Sequence, residues 1–165
     1  MAGESDKKGN IDDGVEIYMD LYKAAKKFLD RHLHAISAKI TVRDKTALHV
    51  AADAGHVNIV EELVKQMSEE ELEMKDIQGF TALALATYNG NYRMAECMLR
   101  KNENLIRIAT NDGDIPVVLA LYYGHLKLAR YLYLLTPLGI LMPENGTMGA
   151  AVVREAIYNK ALGKN

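Results

Sequence analysis

The sequence is short of the features that mark several protein classes, and each shortage excludes something. A single cysteine, Cys97, rules out an internal disulfide and gives no sign of an oxidising compartment. An excess of one charge is missing too: 20 Lys and Arg stand against 22 Asp and Glu, a net charge of −2. That balance removes the basic field a nucleic-acid binder carries. Long apolar runs are also lacking. The longest, residues 131–142, is broken by Thr136, Pro137 and Gly139 and falls short of the ~20 residues that span a bilayer. The first ten residues hold no apolar core, so no secretory leader is expected. G-x-S-x-G, P-loop and G-x-G-x-x-G patterns are absent as well. What remains, 165 residues that are 49% hydrophobic and 25% charged, has the makeup of one ordinary globular domain. It is expected to be soluble, intracellular and cytoplasmic.

What the chain does contain is a repeat. Residues 46–56 read TALHVAADAGH, residues 81–91 read TALALATYNGN, and residues 115–125 read IPVVLALYYGH. A second register agrees: Ile59, Val60, Leu63 and Val64 recur as Met94, Ala95, Met98 and Leu99, then as Leu128, Ala129, Leu132 and Tyr133. Each unit predicts two short helices. Small residues such as Ala51, Ala52, Ala84, Ala86 and Ala120 let neighbouring first helices approach, and Gly55, Gly90 and Gly124 stop them. Apolar residues at i, i+1, i+4 and i+5 make one stripe on the second helix. A turn signal precedes each unit, at residues 43–45, 78–80 and 112–114. No unit can bury its apolar face alone, so stacking must do it.

Thr46, Ala47, Leu48 and His49, with Ala51, Ala52, Gly55 and His56, resemble the ankyrin signature T-P-L-H-x-A, with alanine where proline is usual. Residues 76–81, DIQGFT, are similar to the turn before an ankyrin helix pair. The resemblance implies an all-α ankyrin solenoid, with three full repeats at about 40–75, 76–109 and 110–142. The ends are expected to be degenerate. Residues 1–14 read as a flexible tail, 15–39 as a cap, and 143–165 as a partial repeat opened by Pro143, Glu144, Asn145 and Gly146 and stopped inside its outer helix. In the cap, Ile17, Leu21, Ala24 and Phe28 form one stripe, which predicts a single longer helix. Residues 21–25 (LYKAA), 35–41 (AISAKIT), 95–98 (AECM) and 115–120 (IPVVLA) resemble plant ankyrin proteins that end in a PGG domain with membrane-spanning helices. That group is associated with stress and defence signalling. Within these 165 residues no such domain or span is expected, so the likeness is to the ankyrin part alone.

Candidate chemistry is sparse. His32 and His34 fall on different helix faces, and His49, His56 and His125 occupy fixed repeat positions, where each ring is expected to tie a turn to backbone or to the Thr46 hydroxyl. No metal or cofactor site is expected. Cys97 lies mid-helix beside an apolar stripe and reads as a buried thiol rather than a nucleophile. Ser68 to Glu71 is a capping box, S-x-x-E; an acidic docking patch from Glu61 to Asp76 is the alternative to a solvated face. Asn145, Gly146 and Thr147 form a glycosylation sequon that an intracellular chain would not use.

The resemblance places a binding surface on the turn tips and the ends of the first helices. Those positions hold Val42, Arg43, Lys45, Asp53, Ile77, Gln78, Phe80, Tyr88, Asn111, Asp112, Asp114, Tyr122 and Tyr123. Tyrosine offers a large, rigid contact area at low entropic cost. The expected function is a non-catalytic protein–protein interaction module in plant stress or immune signalling. The alternative is a cytosolic regulatory domain of a longer PGG-type membrane protein with channel-like or transport-linked activity, which would put it at the plasma membrane. The expected partner is another protein, neither nucleic acid nor lipid bilayer. Val152, Val153, Ile157 and Leu162 form an uncapped apolar face, so the C-terminal unit is expected either to fray or to self-associate through it.

Overall fold

The computed structural model describes residues 36–141 and 148–161, with Lys23 and Lys27 before them, both helical and exposed. The chain divides into two compact units, Met1–Ile36 and Ser37–Asn165. The expected N-terminal tail, most of the cap, His32, His34, the sequon and Leu162 lie outside the described residues. The account below is of the second unit.

Three helix pairs follow one another: α1 (Ala47–Asp53) with α2 (Val57–Gln66), α4 (Ala82–Tyr88) with α5 (Tyr92–Lys101), and α6 (Pro116–Tyr122) with α7 (Leu126–Leu135). A single turn, α3 (Glu69–Leu72), and a 3-10 turn, Glu103–Arg107, lead from one pair to the next. After α7 come the short α8 (Leu138–Leu141) and the longer α9 (Met148–Ala161). First helices stack on first helices, α1 on α4 and α4 on α6, while α2 lies against α5. Leu48, Ala52, Leu83, Ala86, Val117 and Ala120 are buried in the inner layer; Val60, Leu63, Met94, Met98, Leu128 and Leu132 are buried in the outer one. The two sequence registers are thus the two layers of the core.

Local chemistry sets where each inner helix begins. The Thr46 hydroxyl accepts from the His49 N–H, and the His49 side chain returns to the Thr46 backbone, closing a capping box. His49 Nδ1 lies 3.3 Å from the Thr46 N–H, which can only donate, so Nδ1 is the acceptor. The proton therefore sits on Nε2, which donates to the Phe80 carbonyl at 3.0 Å and ties α1 to the next turn. Burial is the main cause that pushes the His49 pKa below its ordinary value, keeping the ring neutral. Thr81 caps α4 by accepting from the Ala84 N–H at 3.2 Å. At α6 the equivalent residue is Ile115, which has no side-chain cap, and Pro116 at the first turn supplies the start instead. Ser68 and Glu71 form the expected capping box on α3.

The turns stack through their backbones. Ile77 N–H donates to the Arg43 carbonyl at 3.1 Å, and Asn111 N–H to the Gln78 carbonyl at 3.2 Å. Within the second turn, Asp76 Oδ1 accepts from the Gln78 and Phe80 N–H groups, both at 2.9 Å. Thr41 does the same work in the first turn, accepting from Arg43 and Lys45. Two glycines are required twice over. Gly79 (φ +79°) and Gly90 (φ +70°) occupy the left-handed region, and a Cβ on either would strike the next repeat, at Asn111 and at the His125 ring respectively.

The C-terminal end departs from the expected partial repeat. Residues 148–161 form one unbroken helix of 14 residues rather than a short inner helix, a stop and an outer helix. The glycine that stops the three earlier inner helices has no counterpart, since residues 150–162 contain none. Helix α9 packs on α6 and α8, with Gly149 pressed against the Leu141 carbonyl, so it takes the position of a fourth inner helix. No described helix takes the matching outer position. An open apolar groove of about 530 Å³ remains, floored by Val117, Leu121 and Ala129 and walled by Tyr133, Val153 and Ile157.

Candidate functional site

The end of each inner helix and the tip of each turn form one ladder of equivalent positions, the same in all three repeats. Rung by rung these are Val42, Ile77 and Asn111; Arg43, Gln78 and Asp112; Lys45, Phe80 and Asp114; Asp53, Tyr88 and Tyr122. Val42 is 98% exposed at its tip and Ile77 is 53% exposed, the latter with its N–H bonded to the Arg43 carbonyl of the turn before. Arg43, Gln78, Asn111 and Asp112 are exposed; Lys45, Phe80 and Asp114 are half-buried.

Three tyrosines meet on the inner-helix ends. The Tyr88 and Tyr123 ring centres lie 4.3 Å apart across two repeats, and Tyr122 meets Tyr123 edge-on at 5.0 Å. Tyr122 remains 64% exposed, and Tyr88 and Tyr123 about two-fifths exposed, at 42% and 41%. Burial first, then the fields of Tyr88, Tyr122 and Asp114, raise the Tyr123 phenol above its ordinary pKa, so that ring stays neutral. In the first repeat the corresponding space is filled differently: Lys45 Nζ spans to Asp53 Oδ2 at 2.6 Å. Between them, Asn89 Nδ2 donates to the Asp53 carbonyl at 3.1 Å, a bridge that sequence reading missed. Its signal was available, since Asn89 holds the slot beside Tyr88 that Tyr123 holds beside Tyr122.

Two of the histidines, His49 and His125, hold structural bonds between repeats. His125 Nε2 bonds the Tyr88 carbonyl at 2.9 Å, fixing the edge of the aromatic cluster, and His56 is exposed. Among the described residues, no three His, Cys, Asp or Glu side chains gather as a metal site would require. Cys97 is half-buried, not buried as expected. It lies at the margin of the apolar stripe in a surface dip with Glu61, Arg93 and Lys101. Burial, with Glu61 adding to it, pushes the Cys97 thiol up and keeps it protonated. The acidic run from Glu61 to Asp76 is divided among structural tasks: Glu61 pairs with Arg93 at 2.6 Å, Glu71 caps α3, Glu73 accepts from Asn102, and Asp76 braces a turn.

Helix pairs of this kind, stacked in two layers and joined by backbone-bonded turns, define a helical-repeat solenoid whose variable side chains lie along one ladder. The model for ankyrin repeats in three copies matches residues 20–112 and 62–139. The chain belongs to the ankyrin-repeat family. Among curated proteins, it is 36% identical over 61 residues to the ankyrin repeat-containing protein ITN1 of Arabidopsis thaliana, 37% of this chain. It is 31% identical over 98 residues to the ankyrin repeat and SAM domain-containing protein 6 of Mus musculus, 56% of this chain. The match spans 10% of the length of each of these relatives. Ankyrin repeats form protein–protein interaction modules, and no described helix is long and apolar enough to cross a membrane.

Proposed function

We propose that this chain is a non-catalytic recognition module that binds a protein partner through the turn tips and inner-helix ends. The observation that carries this reading is the Tyr88, Tyr122 and Tyr123 cluster, large rings held against one another and still open to solvent. Packed aromatic anchors of this kind are the residues that dominate interface energetics. Val42, Arg43, Lys45, Asp53, Ile77, Gln78, Phe80, Asn111, Asp112 and Asp114 complete the face as its surrounding contacts. The resemblance of residues 21–25, 35–41, 95–98 and 115–120 to plant PGG-type ankyrin proteins, with the similarity to a plant relative, supports a role inside the cell in stress or immune signalling. A regulatory role within a longer membrane protein at the plasma membrane is the second reading, favoured by the small share of its relatives that the chain spans. The groove beside α9 supports self-association as an additional contact.

The test is affinity capture from plant extract with the chain and with a Tyr88→Ala, Tyr122→Ala variant, followed by affinity measurement on the partner returned. Each truncation at an anchor costs about 2 kcal/mol, roughly 30-fold in affinity. Normal binding by the double variant would remove these residues from the interface.

A further inference from the structure

We infer that the groove between α7 and α9 receives an amphipathic helix of a partner protein that carries a carboxylate in its first turn. The groove shares no residue with the turn-tip ladder, so this second surface stands apart from the recognition reading above. Its place in the fold is that of a further outer helix. Helix α9 takes the inner position after α6, and no described helix takes the outer position after α7. Equivalent residues mark the same place. Val64 in α2 and Leu99 in α5 are buried, whereas Tyr133, at their position in α7, is 49% exposed. Leu134, 73% exposed, stands where Lys65 and Arg100 stand in the earlier helices. Helix α7 thus presents aliphatic surface where α2 and α5 present charge.

Charge chooses the helix. In the two earlier seams the incoming outer helix brings a cation that reaches back to the helix before it. Arg93 of α5 meets Glu61 of α2 with two bonds, Nε to Oε1 at 2.6 Å and Nη2 to Oε2 at 3.1 Å. Lys127 of α7, at the position of Arg93, places its Nζ 5.4 Å from the centre of the Tyr92 ring. The position of Glu61 is held by Glu96 in α5 and by Arg130 in α7. Arg130 is exposed and lines the groove, whose other lining residues are apolar or aromatic. A helix like α5 or α7 would bring its cation against Arg130, and like charges there oppose docking. A carboxylate at that place pairs with Arg130 as Glu61 pairs with Arg93, and it also suits the positive end of the helix dipole. The apolar stripe follows from α5, where Met94, Ala95, Met98 and Leu99 come one, two, five and six residues after Arg93. The helix recognised is therefore Asp or Glu followed by apolar residues at those four intervals. Residues 16–22 of the chain, EIYMDLY, carry the same pattern, but Ile17 and Leu21 belong to the stripe of the expected N-terminal cap.

The experiment displays on phage single helices randomised on one face and presented on a folded helical bundle. Selection runs against the full chain, with a Val153→Glu, Ile157→Glu variant to block the groove. Helices that bind the chain but not this variant should carry Asp or Glu in the first turn, with the apolar intervals above. Arg130→Glu should weaken them about tenfold, and exchanging the helix carboxylate for lysine should restore affinity for that variant. Tyr88→Ala, Tyr122→Ala should leave them unchanged, which separates this surface from the ladder. Thermal unfolding of each variant controls for folding. Groove-dependent helices without an acidic first turn, or indifferent to Arg130→Glu, would overturn the inference. A selection yielding no groove-dependent helix would overturn it as well, leaving the tyrosine reading intact. A dimer of the unmodified chain that Arg130→Glu and Glu16→Lys each dissolve, and a mixture of the two restores, would give the groove to a second copy instead.

Discussion

The second repeat and the C-terminal helix both carry large aliphatic side chains, and these end in opposite states. Every residue from Thr81 to Thr87 is buried, because α4 has α1 on one side and α6 on the other. In α9, Val153 and Ile157 are 58% and 62% exposed, since that helix has α6 on one side only. Val153 and Ile157 are themselves as apolar as Leu83 and Leu85, so side-chain hydrophobicity does not separate these positions. In a stacked array, burial is conferred by neighbours, and stability is accordingly a sum over interfaces.

The sharpest way to break this comparison is a pair of truncations. Leu83→Ala, at a fully buried site in α4, should cost ~2–5 kcal/mol through lost burial and the cavity left behind. Val153→Ala, on the open wall of the groove, should stay within about 0.5 kcal/mol. Urea unfolding of both proteins decides the matter, and equal costs would mean that α9 is covered in solution.

A second pair asks whether a neighbour matters at a turn. Gly55 and Gly90 share the left-handed conformation, with φ +77° and +70°. Nothing lies within 4 Å of a Cβ built on Gly55, whereas one built on Gly90 meets the His125 ring. Gly55→Ala should therefore cost only the backbone strain, about 1 kcal/mol. Gly90→Ala should cost more, about 2–3 kcal/mol, because His125 must also give up its bond to the Tyr88 carbonyl. Thermal unfolding reads the difference.

A smaller effect comes from His49, which joins the first repeat to the second. Its pKa is lowered in the folded chain, mainly by burial, so below the ordinary value of 6.5 the unfolded chain binds more protons. The stability it supports is fully present above that pH and declines as pH falls through it toward the folded value. Denaturant midpoints from about pH 8 to pH 5 should fall on the acid side, and His49→Gln should flatten that limb. The smallest effect is local. Amide exchange in Met148–Ala161 should be faster than in Tyr92–Lys101 in dilute protein, and should slow with concentration where copies associate through the groove.

Much of this architecture is legible in the sequence, because each repeat restates it. Thr46 and Thr81 announce helix starts, Gly55, Gly90 and Gly124 announce stops, and the two apolar registers announce two layers. What escapes is whatever the repeat does not restate. The unbroken α9 goes with the absence of glycine from residues 150–162, a missing stop that one sequence does not mark as decisive. The pairing of Tyr88 with Tyr123 joins different positions of two repeats, so no equivalence between repeats suggests it. Cys97 shares a helix with the buried Met94 and Met98, and only the neighbouring α2, with Glu61, shows that the apolar stripe has already ended there.

The turn ladder has a consequence for how such a surface changes over generations. Its rungs are backbone to backbone, Ile77 N–H to the Arg43 carbonyl and Asn111 N–H to the Gln78 carbonyl, and neither bond consults a side chain. Val42, Arg43, Ile77 and Gln78 are thus free to vary under selection for a new partner without a folding penalty to overcome first. Asn111 is the exception, because its amide also donates to the Ile77 carbonyl at 3.0 Å and fits over Gly79. Drift in binding preference should therefore be fast at the first two tips and slow at the third, and saturation mutagenesis scored for folding alone would reveal the same gradient.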